Sequence, residues 1–337
     1  MRGGPVLLAI LLAALLAALS AAMPAMGQTP GGTPAPEPDN GKPTAMVIGG
    51  GRPFGLNFAA AGAVCRIAEA AELGRCLVES KADSAANLAA LQDGSVDFAV
   101  VQSDWLRHAA EGTSRFRGVG ADDDLRAMFS LHAEALTLVA RAQARIRTVA
   151  SLKRRRVGLG AADGYARLLM EYLLRAVGLD MDDLEAAADG TPAAVDAALC
   201  EGKLDAVALV ASHPSLRMGA LAERCPVRIV QLVSGTIART LKGRPDLSLA
   251  VVPGGLYKGS PDPVRTIGLR AVLATTGQVA ASRVYRLVAA TFERLGELRG
   301  RHPALSSLRI ESMSQSGIGI PVHEGALRFY RERGIRH

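Results

Sequence analysis

Short apolar runs alternate along the chain with longer segments of helical periodicity. Strands are predicted at residues 45–49, 76–79 and 96–101, each an almost continuous apolar run. Helices are predicted between them at residues 58–73 and 87–92. Alternation of continuous apolar strands with helices is typical of a parallel sheet covered by helices on both faces. The pattern therefore predicts an α/β fold.

The same succession of elements restarts in the second part of the chain. Strands are predicted at residues 134–140, 157–160 and 204–210, helices at 164–177 and 191–200, then a strand at 267–274 and helices at 281–299 and 325–332. The helix at 164–177 carries apolar residues close to a 3.6-residue spacing. The restart indicates a second unit built like the first.

The two units share a short local pattern. Residues 91–99 and 199–207 each contain a helix end, a glycine, a polar residue, and then an aspartate before an apolar strand. The aspartates are Asp97 and Asp205. Two similar α/β lobes are the architecture of a hinged binding protein that holds its ligand in the cleft.

The N-terminus indicates export. Residues 6–19 form an apolar run that is too short to span a bilayer comfortably but suits the core of a secretory signal. Small residues at 20–22 and at 25–27 offer two cleavage sites, and the choice between them is open. We predict a signal peptide over residues 1–27 and a Pro/Gly-rich linker over 28–43. The mature protein is expected in the periplasm, with an uncleaved membrane anchor as the alternative.

Composition narrows the function further. Half of the residues (49%) are hydrophobic, which excludes an intrinsically disordered chain. The 39 basic residues exceed the 32 acidic ones but are scattered, and the longest basic run, Lys153–Arg156, precedes a predicted strand. We interpret it as a solvated turn and expect no nucleic-acid partner. The six histidines and four separated cysteines indicate no metal site and no cofactor; in an exported protein, an even cysteine count favours disulfides over free thiols.

The first candidate site is the glycine run after the first strand. Gly49, Gly50 and Gly51 let the backbone approach a ligand, and the helix that follows offers free N–H groups to an anion. Arg52 adds a guanidinium able to hold a carboxylate with two hydrogen bonds. A dinucleotide-binding fingerprint is not met because Phe54 stands where its last glycine belongs, and no Gly-Lys-Ser/Thr of a P-loop follows. A plain structural turn is the alternative.

Polar residues follow two other predicted strands. Gln102, Ser103 and Asp104 come after the strand at 96–101, and His213 follows the strand at 204–210. Ligands of open α/β sheets bind at the carboxyl ends of strands. The alternatives are a helix N-cap for Asp104 and a hydrogen-bonded loop residue for His213. A hydrolase that uses Ser103, Asp104 and His213 is disfavoured because no G-x-S-x-G sequence surrounds the serine, and an enzyme is not expected.

Several segments together resemble one family, the TAXI-type solute receptors of tripartite ATP-independent periplasmic (TRAP) transporters. The similar blocks are residues 84–88, 96–105, 125–132, 213–214, 253–257 and 321–326, and the resemblance runs from about residue 45 to 334. It implies a two-lobe periplasmic-binding-protein fold, type II-like, with the ligand cleft between lobes joined by a hinge. Lobe I would comprise residues 44–132 and 238–337, and lobe II residues 133–237. Disulfides Cys65–Cys76 and Cys200–Cys225 are also implied.

The resemblance implies that a small organic anion or amino acid, glutamate-like or a dicarboxylate, is delivered to the membrane permease subunits of a TRAP transporter. Three loops depart from the family, at residues 49–52, 81–84 and 161–165. These departures indicate an altered ligand, or a sensor or interaction protein of the same fold that acts with a membrane signalling partner. The expected ligand-binding residues are Gly50, Gly51, Arg52, Ser84, Gln102, Ser103, Asp104, Asp163, Arg167 and His213.

Overall fold

One mixed sheet of ten strands organises the computed structural model, which describes residues 45–160 and 164–337. The strands are β1 (Met46–Gly49), β2 (Cys76–Glu79), β3 (Phe98–Gln102), β4 (Leu125–Arg141), β5 (Arg156–Gly160), β6 (Ala186–Asp189), β7 (Ala206–Ala211), β8 (Val227–Ile229), β9 (Ser248–Val252) and β10 (Val264–Thr276). The predicted signal peptide, the linker and Asp163 lie outside the described residues.

Helices cover both faces of this sheet. They are α1 (Leu56–Ala70), α2 (Ser84–Gln92), α3 (Ser103–Glu111), α4 (Tyr165–Ala176), α5 (Pro192–Cys200), α6 (Leu216–Arg224), α7 (Gly235–Thr240), α8 (Ala281–Glu293), α9 (Leu295–Gly300), α10 (Ile310–Gln315) and α11 (Glu324–Glu332). Within the described ranges, no helix is long and apolar enough to cross a membrane. The helix predicted at 281–299 is interrupted at Arg294, which caps α8 and begins α9.

Two long antiparallel strands join the halves of the sheet. The strand order is β2-β1-β3-β10-β4-β7-β5-β6, with β8 beside β4 and β9 beside β10. Strands β1, β2 and β3 pair in parallel at one end, as do β5, β6 and β7 at the other. The predicted strand at 134–140 is only the second half of the 17-residue β4. Because β4 and β10 extend from one half into the other, they form the structural connection between the halves.

The hydrophobic cores revise the lobe boundary. Phe98, Phe129 and Phe292 belong to the core under α1, α8 and α11 in the first half. The cores of the second half also take residues from beyond position 238: Leu247, Ala250, Val252, Val264, Ile267 and Leu269. β9 and the start of β10 therefore pack with lobe II, which favours a return into lobe I near residue 269 rather than at residue 238. The bounds of the two lobes stay a prediction.

Both implied disulfides are present. Cys65 of α1 is bonded to Cys76 at the start of β2, with their Cα atoms 5.1 Å apart. Cys200 at the end of α5 is bonded to Cys225, which caps α6, with a Cα–Cα distance of 5.4 Å. The first bond ties α1 to β2, and the second ties the end of α5 to the end of α6.

Candidate ligand-binding site

Three helices that follow parallel strands begin without a side-chain cap. Helices α1, α3 and α4 come after β1, β3 and β5, and their N-cap residues, Gly55, Gln102 and Gly164, contribute no side-chain hydrogen bond. Side chains cap four of the other helices: α2 by Asp83, α5 by Thr191, α6 by Ser215 and α7 by Ser234. Helices α8 and α9 also lack a side-chain cap, but neither follows a parallel strand. Uncapped N–H groups at the positive end of a helix dipole attract negative charge. The pattern marks the carboxyl ends of β1, β3 and β5 as a candidate site for an acidic group.

The glycine run is needed for close packing. A Cβ atom on Gly49 would lie 2.5 Å from Oδ1 of Asn87, and one on Gly50 would lie 3.0 Å from Cα of Phe58. The Asn87 side chain donates to the carbonyls of Gly50 at 2.7 Å and of Val100 at 2.9 Å. The Gly50 N–H donates to the carbonyl of Glu79, so this group is already occupied. The structural alternative therefore accounts for much of this run.

Arg52 lies on the exposed loop before α1. Its Nε donates to the carbonyl of Ala82 at 3.1 Å, which ties this loop to the one before α2. The predicted contact with a ligand carboxylate has to be compatible with this loop-to-loop bond.

Ser84, Gln102 and Ser103 form the framework of the site. The Ser84 hydroxyl accepts a hydrogen bond from the N–H of Gln102 at 3.1 Å. The Ser103 hydroxyl donates to the carbonyl of Asp246 at 2.7 Å and accepts from the N–H of Arg270 at 3.1 Å. Both serines are buried. Their hydrogen bonds position the start of α3. The Ser103 hydroxyl proton is already donated to the carbonyl of Asp246 and is not available to a ligand.

Asp104 is the acidic group at this edge. It lies in the first turn of α3 and is only 6% exposed, and its Oδ1 has no hydrogen-bond partner among the described residues. Burial raises the pKa of Asp104 to about 6, a backbone hydrogen bond from Trp105 opposes this, and the nearby charge of Asp246 adds to it. The N-cap interpretation of Asp104 is wrong, because Gln102 is the N-cap.

A second carboxyl group and a tyrosine surround Asp104. The side-chain amide of Gln102 donates to Glu134 of β4. Burial raises the pKa of Glu134, the Gln102 bond lowers it, and the charge of Asp104 raises it further. Burial also raises the pKa of Tyr165 at the start of α4, and Asp104 adds to this shift. Asp104 and Tyr165 are therefore close enough for their charges to interact.

Asp246, by contrast, has its charge matched. Arg244 donates to it through two nitrogens, at 2.9 and 2.6 Å, and Arg107 lies 3.2 Å away. The Arg244 guanidinium also lies over the ring of Tyr172, at 5.4 Å. These cations support Asp246, whereas Asp104 keeps an unpartnered oxygen that a cationic ligand group can meet.

The two remaining predicted site residues are His213 and Arg167. The ring of His213 bonds to the hydroxyls of Thr137 at 2.8 Å and Tyr257 at 2.7 Å, as expected for the loop-residue alternative. Burial lowers its pKa to about 4, so the ring is neutral at pH 7. Arg167 is in the first turn of α4, two residues beyond Tyr165. Sequence reasoning missed Glu134 and Tyr165; the available signal for Glu134 is a carboxylate within an apolar strand.

Comparison with known proteins now adds to this geometry. The profile of the NMT1-like family matches residues 48–334. The chain belongs to the NMT1-like family. Among solved structures, it is similar to a TctC solute-binding protein from Polaromonas, with a TM-score of 0.53 and 18% identity over 88% of this chain and 96% of that one.

Two further structures are similar at lower scores. One is the periplasmic aliphatic sulphonate-binding protein SsuA from Escherichia coli, with a TM-score of 0.48 and 18% identity over 87% of this chain and 89% of that one. The other is the L-cystine solute receptor of Neisseria gonorrhoeae, with a TM-score of 0.46 and 13% identity over 77% of this chain and 92% of that one. All three are binding proteins or receptors rather than enzymes. The TctC likeness confirms the two-lobe α/β fold of solute-binding proteins.

Proposed function

We propose that the protein is an extracytoplasmic receptor that captures an amino acid in the cleft and delivers it to the permease of a TRAP-type transporter. The fold of solute-binding proteins and the apolar run at residues 6–19 support export and binding. Strands β4 and β10 are the element about which the halves would close on the ligand.

One juxtaposition carries the choice of ligand. The uncapped start of α3, which suits a carboxylate, lies beside the buried carboxyl group of Asp104, which suits a cation. An amino acid carries both groups, whereas a dicarboxylate would place a second negative charge next to Asp104 and Glu134. Burial raises the pKa of both carboxyl groups because it disfavours their charged forms, and an incoming ammonium group would favour those charged forms again.

Thermal-shift measurements with matched acids test this proposal. Glutamate should raise the melting temperature more than 2-oxoglutarate or succinate does, because a ligand that binds only the native state stabilises it. Asp104→Asn should weaken glutamate binding by about tenfold or more, at about 1.4 kcal/mol per decade. Asp262→Asn, an exposed aspartate in the loop before β10, is the matched control.

The outcomes separate the parts of the proposal. Binding of dicarboxylates without amino acids would contradict the ammonium site at Asp104. The absence of any shift across amino acids, keto acids and dicarboxylates would contradict the receptor function. Amino-acid binding that supports no uptake by a reconstituted TRAP permease would favour the sensor alternative, to which the altered loops at 49–52 and 81–84 also point.

A further inference from the structure

Arg270 is a buried arginine at the middle of the connecting strands. It lies on β10, where Ala133 of β4 is its partner, and its backbone N–H donates to the Ser103 hydroxyl. Its exposed fraction is 8%. A Cβ atom on Gly317 would come within 2.6 Å of Cγ of Arg270, so the backbone there closes over the side chain.

No carboxylate of residues 45–160 or 164–337 pairs with the charge of Arg270. Its Nε reaches only the Ser130 hydroxyl, at 3.4 Å, and its Nη2 has no hydrogen-bond partner among the described residues. Burial lowers the pKa of Arg270 to about 10, so the guanidinium is still charged at neutral pH. Other partly buried arginines have such partners: Arg107 and Arg244 pair with Asp246, and Arg141 and Arg156 with Asp205. A buried charge without a counterion is strongly unfavourable.

His132 precedes Ala133, the strand partner of Arg270, and adds a second set of unpartnered atoms. It is 2% exposed, and neither ring nitrogen has a hydrogen-bond partner in the described part of the chain. Its Nε2 is 4.0 Å from Oε1 of Glu134, beyond hydrogen-bond distance. Burial lowers the pKa of His132 to about 3, and the charges of Arg270 and His302 act in the same direction. A neutral imidazole has one N–H donor to offer.

We propose that Arg270 and His132 bind a small monovalent anion, of the size of chloride or formate, at the junction of β4 and β10. A water molecule would satisfy the hydrogen bonds but leave the guanidinium charge uncompensated. An anion accepts the hydrogen bonds and also neutralises the charge. Arg270 is only 8% exposed and the backbone of Gly317 packs against the stem of its side chain, so we expect only a small ion to reach the guanidinium. Since both strands connect the halves, the anion would stabilise the connection independently of the solute at Asp104.

The test exchanges the anion at constant ionic strength. The melting temperature of the mature protein is followed as sodium chloride, or sodium formate, replaces sodium gluconate, whose anion is too large to enter. We expect a saturable rise in the unmodified protein and an apparent anion affinity about tenfold weaker or more in Arg270→Gln. Arg265→Gln removes an exposed arginine from the same strand and should behave as the unmodified protein does.

Crystals of the unmodified protein grown in bromide give a second readout that requires no variant to fold. We expect an anomalous peak beside Nη2 of Arg270 and the His132 ring. This peak should remain when glutamate is added. A peak displaced by glutamate would assign the position to the carboxylate of the solute and overturn a separate anion. No peak, together with equal chloride dependence in Arg270→Gln and the unmodified protein, would overturn the proposal in favour of water.

Discussion

The carboxylate of Asp97 accepts a hydrogen bond from the backbone N–H of Val47 at 2.7 Å, so the residue just before β3 fixes β1 beside it. Asp205, just before β7, accepts in the same way from the N–H of Arg156 in β5, at 3.0 Å. Each carboxylate also pairs with an arginine, Asp97 with Arg283 and Asp205 with Arg156. The pattern that recurs in residues 91–99 and 199–207 is therefore a device that positions strands in each half.

Replacing Asp205 by Asn should lower the free energy of unfolding by about 3 kcal/mol at pH 7, because it leaves Arg141 and Arg156 without their buried partner. Burial alone would raise the pKa of Asp205, but hydrogen bonds from both arginines outweigh it and hold the pKa well below its usual range. This stabilisation is present above about pH 4 and is lost as the pH falls further. Urea denaturation from pH 7 to pH 3 measures it, and a pH-independent difference from the unmodified protein would contradict it.

Asp104→Asn should stabilise the unliganded protein while it weakens ligand binding. Raising the pKa of Asp104 from 3.8 to about 6 means that folding at pH 7 has to accommodate a buried carboxylate, which costs about 3 kcal/mol. The unmodified protein should lose this stability as the pH rises from about 4 to about 6, and the variant should not. Denaturation curves across this range are the measurement, with Asp262→Asn as control. Equal slopes in all three proteins would show that Asp104 does not carry the effect.

The disulfides should contribute unequally. In the chain-entropy account, Cys65–Cys76 closes 11 residues and stabilises by about 2.8 kcal/mol, and Cys200–Cys225 closes 25 and stabilises by about 3.5 kcal/mol. Double replacement of each pair by Ala, followed by urea denaturation, measures both values. A larger loss for the shorter loop would show that local packing, rather than chain entropy, dominates.

Arg52→Ala should weaken binding of the solute by about tenfold, and Arg52→Lys should recover only part of this because lysine keeps the charge but loses the planar fork. Calorimetry with the identified solute measures the change. Arg75→Ala, an exposed arginine before β2, is the control. Unchanged affinity in Arg52→Ala would leave Arg52 only its bond to the Ala82 carbonyl.

Local pattern predicts much of this fold because its strands are apolar runs and its helices are periodic. β2 is predicted at residues 76–79, where the structure has it. The first half of β4 escapes prediction, since its burial depends on pairing with the distant β10. The candidate site shows the same limit of local pattern. Asp104 is indicated by its place after a strand, whereas Glu134 reaches Gln102, and Arg270 reaches Ser103, only through the register of the sheet.

Ala135 of β4 and Gly268 of β10 are direct partners, so the chain leaves the first half of the sheet and comes back to it at neighbouring points. Residues 135–268 thus form a continuous segment whose two ends are adjacent in the sheet. Segments with adjacent ends are those that tolerate grafting and circular permutation. Exchange of this segment for that of a relative at these two positions would replace the second half of the sheet and leave the first half intact. In the receptor proposed above, solute specificity would then be open to exchange of a whole segment as well as to point mutation.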